Sequence, residues 1–135
     1  SEETKNRISL KPSRLKVLVV EDEPRVRKFA ARCVESLGYG VISATSASNA
    51  IDILKHNPDI ELIFSDIIMP GGMTGRDLEA YVQAHHPQIK VQLTTGYEEE
   101  SEKFDSSATP VLKKPYTREE LDEALQKLLS CRIQF

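Results

Sequence analysis

Five short runs rich in Val, Ile and Leu punctuate the chain: KVLVV (16–20), GVISA (40–44), ELIFS (61–65), KVQLT (90–94) and PVLK (110–113). They are nearly continuous rather than alternating, which is the pattern of strands covered on both faces. Between them the period changes. Val26, Phe29, Ala30, Cys33, Val34 and Leu37 recur at three-four spacing, as do Ala47, Ala50, Ile51 and Leu54, then Leu78, Tyr81 and Val82, and finally Leu121, Ala124, Leu125 and Leu128. Such spacing gathers side chains on one stripe of a helix, so the pattern predicts helices facing a sheet. Pro24 suits a first helical turn, and Thr117 ahead of Glu119 and Glu120 reads as an N-cap followed by acids. The segment YEEESEKFDSSAT (97–109) has a weaker stripe and predicts a short or frayed helix.

Strict alternation of strand and helix implies an α/β fold: a parallel sheet with helices on both faces. Composition narrows the picture. The 135 residues, 39% apolar and 29% charged, suit one compact domain over 15–135, with SEETKNRISLKPSR (1–14) as a linker or cloning remnant. The net charge of −3 is mild and the 18 basic residues are scattered among 21 acidic ones, so no stripe for nucleic acid stands out. Cys33 and Cys131 lack CxxC spacing, which argues against a zinc site or a disulfide framework and for reduced, buried thiols in a cytoplasmic setting. No stretch approaches the ~20 apolar residues of a membrane span, no signal peptide is evident, and no membrane contact is expected. The chain ends a few residues after its last predicted helix, which leaves no room for a DNA-binding output domain and suggests either a stand-alone domain or a piece of a larger kinase.

In an open parallel sheet, ligands gather beyond the carboxyl ends of the strands. Those ends carry Glu21-Asp22-Glu23, then Asp66, Thr94-Thr95-Gly96 and Lys113-Lys114-Pro115. Asp66 closes an apolar run, and a buried carboxylate costs several kcal/mol unless something compensates it. Three carboxylates brought close together repel unless a divalent cation joins them, and an all-oxygen site suits Mg²⁺, or Mn²⁺ in its place. Asp66 could then act as a nucleophile toward phosphorus, with the hydroxyl of Thr95 and the ammonium of Lys114 as donors to the new phosphoryl oxygens. Alternation lets only one of each neighbouring pair face the site. Thr95 and Lys114 are chosen over Thr94 and Lys113 for the Gly and Pro that follow them. His56, His85 and His86 fall near predicted helix ends, where a cation favours the dipole. Gly71, Gly72 and Gly75 are expected to bend their loop at positive φ.

With this ordered set the sequence resembles the receiver domains of bacterial two-component response regulators, over residues 15 to 131. The resemblance implies a flavodoxin-like three-layer fold with strand order 2-1-3-4-5 and a phosphoryl group taken from a histidine kinase or histidine phosphotransfer domain onto Asp66. It implies that Asp22 ligates Mg²⁺ directly, that Glu21 does so largely through water, and that the Ile68 carbonyl completes the protein ligands. Thr95 would be the switch hydroxyl and Lys114 the lysine before a cis proline. A homodimer or an intramolecular kinase partner is a further implication. The MPGGMTG loop (69–75), LTTGY (93–97) and VLKKPY (111–116) resemble receivers attached to hybrid sensor kinases.

Departures from the pattern also carry expectations. Many receivers have an aromatic residue three positions before the lysine, where this chain has Val111, a departure from the usual aromatic readout. The connection from Thr95 to Lys114 is short, in keeping with an abbreviated fourth helix. Ile68 and Tyr97 are expected to flank the line of water attack on phosphorus. An aspartyl-phosphate phosphatase of the haloacid-dehalogenase type would need a second acid two residues after Asp66, where Ile68 stands. A flavin-binding protein would cradle phosphate at its first loop, where EDEP (21–24) would repel it. The remaining alternative is a pseudo-receiver that acts as an interaction module without phosphorylation.

Overall fold

The computed structural model describes residues 15–96 and 110–131. Five strands, β1 (Lys16–Val20), β2 (Gly40–Ala44), β3 (Ile60–Asp66), β4 (Lys90–Thr95) and β5 (Val111–Lys113), form one parallel sheet in the order β2-β1-β3-β4-β5. Four helices are described: α1 (Pro24–Ser36), α2 (Ala47–His56), α3 (Gly75–His85) and α4 (Arg118–Cys131). The architecture is the expected flavodoxin-like one. Asp66 and Thr95 prove to be the last residues of their strands, whereas Pro110 lies outside β5. Residues 1–14 and 97–109 lie outside the described residues, and with them the linker, the frayed helix and Tyr97.

Alternation along the strands builds two cores. Leu18, Val20, Ile63 and Leu93 meet Ala50 and Leu54 of α2 and Leu78 and Val82 of α3. On the other face Val17, Val19, Leu62 and Phe64 meet Ala30, Cys33 and Val34 of α1 and Leu121 and Leu125 of α4. Most residues of each stripe read from three-four spacing lie in these cores, but Val26, Phe29 and Ala124 do not. Phe29 is 49% exposed and lies at the edge of the α1 stripe, its ring 5.9 Å from that of Tyr116.

Caps fix where the helices begin. Ser46 accepts from the Asn49 N–H, Thr74 and Asp77 form a reciprocal capping box, and Thr117 and Glu120 form another. At the loop before α3, Gly71 and Gly72 have φ of 97° and 88°, as expected, but Gly75 does not have positive φ. Gly75 is required for a different reason: it lies against the backbone of the residue that ends β3. A Cβ there would overlap the Asp66 carbonyl oxygen and stand 2.9 Å from the Ile67 Cα, while the Gly75 N–H donates to the Ile67 carbonyl at 2.8 Å.

Backbone atoms yield less readily than side-chain ends, so Gly75→Ala is expected to destabilise the fold by about 1–3 kcal/mol, as overpacked sites do. Among the described residues, a Cβ at Gly96 would meet the Lys114 side chain alone, at 3.6 Å, and Gly96→Ala should be nearly neutral. Urea denaturation of the two variants checks the contrast.

Candidate functional site

Strand order decides which side chains meet. β1, β3, β4 and β5 lie side by side, with Val20 paired to Ser65, Asp66 to Thr94 and Thr95 to Lys113, so their carboxyl ends share one edge. Glu21 and Asp66, each 5% exposed, and the exposed Asp22 offer carboxylate oxygens that all lie within 4.8 Å of one another. The Lys114 ammonium bridges two of them, 3.2 Å from Glu21 Oε1 and 3.3 Å from Asp66 Oδ2. Lys113, its neighbour, is exposed. The Lys114-Pro115 peptide is cis.

Two of the three acids are out of balance with their surroundings. Burial pushes the Asp66 carboxyl above its ordinary value, and the Lys114 charge beside it offsets only part of this. Glu21 is raised likewise, by burial and then by the Asp66 charge, again against the pull of Lys114. Lys114 itself is lowered by burial but raised more by Asp66 and Glu21 together, and ends above its ordinary value. One ammonium is thus shared between two buried carboxylates. Asp66 Oδ2 faces Lys114, while Oδ1 is buried with no hydrogen-bond partner among the described residues. A buried anionic oxygen without a donor is unstable by itself. Three carboxylates at one point, one of them with an oxygen that has no donor among the described residues, form a donor set that fits a hard divalent cation.

The backbone beneath Asp66 is held from several directions. Its carbonyl accepts from the buried Ser65 hydroxyl at 2.9 Å, and the Ile67 N–H donates to the Thr94 carbonyl at 3.0 Å. Thr94 has a structural task, since its hydroxyl donates to the Leu112 carbonyl at 2.7 Å. Thr95 is buried and closes β4, and its carbonyl accepts the Lys114 N–H at 2.9 Å. Ile68 is 42% exposed in the loop after Asp66. Val111 is half-buried, pairs with Leu93 and packs on the α2–α3 side of the sheet. Tyr116 packs between Phe29 and Phe64, with ring centroids at 5.9 and 5.6 Å. His56, His85 and His86 lie at helix ends, remote in sequence from the acids.

Sequence reasoning passed over two residues that shape this edge, Ser65 and Arg27, and gave a third, Gly75, the wrong reason. The Arg27 Nη1 donates to the carbonyls of Glu21 at 2.9 Å and Asp22 at 3.3 Å. Its signal was available, an arginine in the first turns of the helix that follows the acids. Ser65 reads as an ordinary strand residue, and Gly75 as a positive-φ glycine, until the contacts are known.

Comparison with known proteins agrees with this architecture. Residues 17–126 match the family model for the response regulator receiver domain. The sensor kinase CckA of Brucella abortus (strain 2308) is 32% identical over 117 residues, which are 84% of this chain and 12% of that protein, so the chain spans only a small part of its length. The response regulator receiver protein CpdR of the same organism is 29% identical over 84% of this chain and 96% of its own. Among solved structures, the receiver domain of the hybrid histidine kinase CckA superposes with a TM-score of 0.70 at 32% identity, covering 84% of this chain and 98% of that one. The response regulator TrrA of Thermotoga maritima, in complex with Mg²⁺-BeF, gives 0.75 at 26% identity, with the same coverage.

The raised Asp66 carboxyl has a consequence for stability. The folded chain holds that proton more tightly than the unfolded chain, so the contribution of Asp66 to stability falls as pH rises from its ordinary value of 3.8 through its raised folded value. In EDTA, Asp66→Asn is expected to be more stable than wild type at neutral pH, with the advantage vanishing at low pH. Paired thermal melts across that range check the sign.

Proposed function

The chain belongs to the response regulator receiver domain family, and from that membership we propose that it accepts a phosphoryl group on Asp66 from the phosphohistidine of a histidine kinase or histidine phosphotransfer domain. The observation that carries this reading is the orphaned Oδ1 of Asp66, buried at the centre of the acidic edge while Oδ2 meets Lys114. A carboxylate oxygen attacks phosphorus, the P–N bond of the donor breaks, and its electron pair returns to the imidazole, which takes up a proton.

Glu21, Asp22 and Asp66, with the Ile68 carbonyl, would hold Mg²⁺; Asp22 is assigned as a direct ligand and Glu21 as one acting largely through water. The cation supplies charge neutralisation for the acids and for the transferring phosphoryl oxygens. Lys114 and Thr95 supply the remaining donors. Lys114 is already placed between Glu21 and Asp66, whereas Lys113 points to solvent and Thr94 is engaged with the Leu112 carbonyl. BeF, named with Mg²⁺ for the TrrA structure, is an anion of phosphoryl-like shape, which is in keeping with the same assignment.

Phosphorylation then acts by population shift. The phosphoryl group favours the arrangement in which Thr95 and Lys114 close on it, with a coupling of ~1–3 kcal/mol typical of such switches. Val111 supplies no aromatic ring for this readout. Ile68, apolar and exposed beside the site, excludes water from the line of attack opposite the aspartyl oxygen, and Tyr97 is assigned the same task.

Incubation with acetyl phosphate and Mg²⁺ should add one phosphoryl group to the intact mass, and Asp66→Asn should abolish the addition. Uptake undiminished in that variant sinks the assignment, and no uptake by wild type favours an unphosphorylated interaction module. Lys114→Ala should uncouple phosphorylation from the structural change while Lys113→Ala does little. Ile68→Asn should shorten the phosphoryl lifetime, each tenfold corresponding to about 1.4 kcal/mol of barrier.

A further inference from the structure

The loop between β1 and α1 carries two of the three acids, and the carbonyls of Glu21 and Asp22 lie between a strand and a helix, where no described backbone N–H takes them up. The Arg27 Nη1 occupies both positions, 2.9 Å from the Glu21 carbonyl and 3.3 Å from the Asp22 carbonyl. Arg27 is itself fixed in α1, its N–H bonded to the Glu23 carbonyl at 2.8 Å. Two further ties complete the clamp: the Glu21 N–H donates to the Ala44 carbonyl of β2 at 3.1 Å, and the Glu23 N–H to Glu21 Oε2 at 3.3 Å. The peptide groups held in this way set the direction in which the Glu21 and Asp22 side chains leave the backbone.

We propose that Arg27 is a positioning residue for the divalent-cation site, holding the Glu21–Asp22 backbone so that both carboxylates face Asp66. The inference rests on the cation-binding part of the reading above. It concerns a residue to which that reading gives no role, and two physical effects make it decidable. As a charge, the guanidinium repels a nearby dication and should weaken its binding. As a hydrogen-bond donor to the ligand-bearing loop, it should strengthen binding, because groups that orient metal ligands are typically worth 10–100-fold in affinity. The two carbonyl contacts indicate that the second effect dominates.

The test is a calorimetric titration with MgCl₂ of wild type, Arg27→Ala and Arg32→Ala, the last removing an exposed charge from the same helix without touching the loop. Arg27→Ala is expected to weaken Mg²⁺ binding roughly tenfold or more, despite the loss of a repelling charge, while Arg32→Ala stays at the wild-type value. Affinity that is unchanged or tighter in Arg27→Ala overturns the proposal, including when the melting temperature in EDTA falls, since that pattern belongs to a residue that only stabilises α1. Should Arg27→Ala fail to fold by circular dichroism, Arg27→Gln is read in its place. It removes the charge and its shorter amide falls short of the two carbonyls, so the same outcomes support or overturn. A wild-type protein that binds no Mg²⁺ would instead defeat the cation-site reading itself.

Discussion

The burial of Asp66 at the end of the central strand is the constraint around which the rest of the site is arranged. β3 is flanked by β1 and β4, and its last residue is 5% exposed, so its carboxylate has exchanged water for whatever the neighbouring strand ends provide. On one side they provide Lys114, and on the other the carboxylates of Glu21 and Asp22. The edge is therefore under-compensated, an imbalance that favours a cation beside the acids.

Rigid backbone makes that imbalance sustainable. The Asp66 carbonyl takes the Ser65 hydroxyl, Gly75 leaves room for α3 to abut it, and Arg27 spans the Glu21 and Asp22 carbonyls. Such contacts pin peptide groups without neutralising the carboxylates. A site of this kind keeps its charge repulsion until a ligand arrives, which is what a switch element with two close-lying states requires.

Much of this was legible in the sequence. The five apolar runs and the helical stripes gave the element order, because a strand covered on both faces and a one-sided helix leave different periods. The acids, Thr95 and Lys114 were picked out for standing at strand ends, the last two for the Gly and Pro that follow them, and the strand order brings those ends to one edge. Residues that act through the backbone were not legible. Gly75 reads as a loop glycine with positive φ, and only the packed α3 shows that it is needed for close approach instead. Phe29 has the spacing of a core residue, yet lies half exposed against Tyr116, because period alone does not say where a stripe ends. Arg27 illustrates the same gap: its charge is visible in the sequence, but its two carbonyl partners are not.

The central claim is that the buried oxygen of Asp66, which has no donor among the described residues, is the point at which a phosphoryl-like group and a divalent cation would assemble together. Fluorine NMR of the protein with beryllium fluoride tests it most directly. The account predicts bound resonances that appear only when Mg²⁺ is present and disappear in Asp66→Asn. Bound resonances without Mg²⁺, or undiminished in Asp66→Asn, would contradict it.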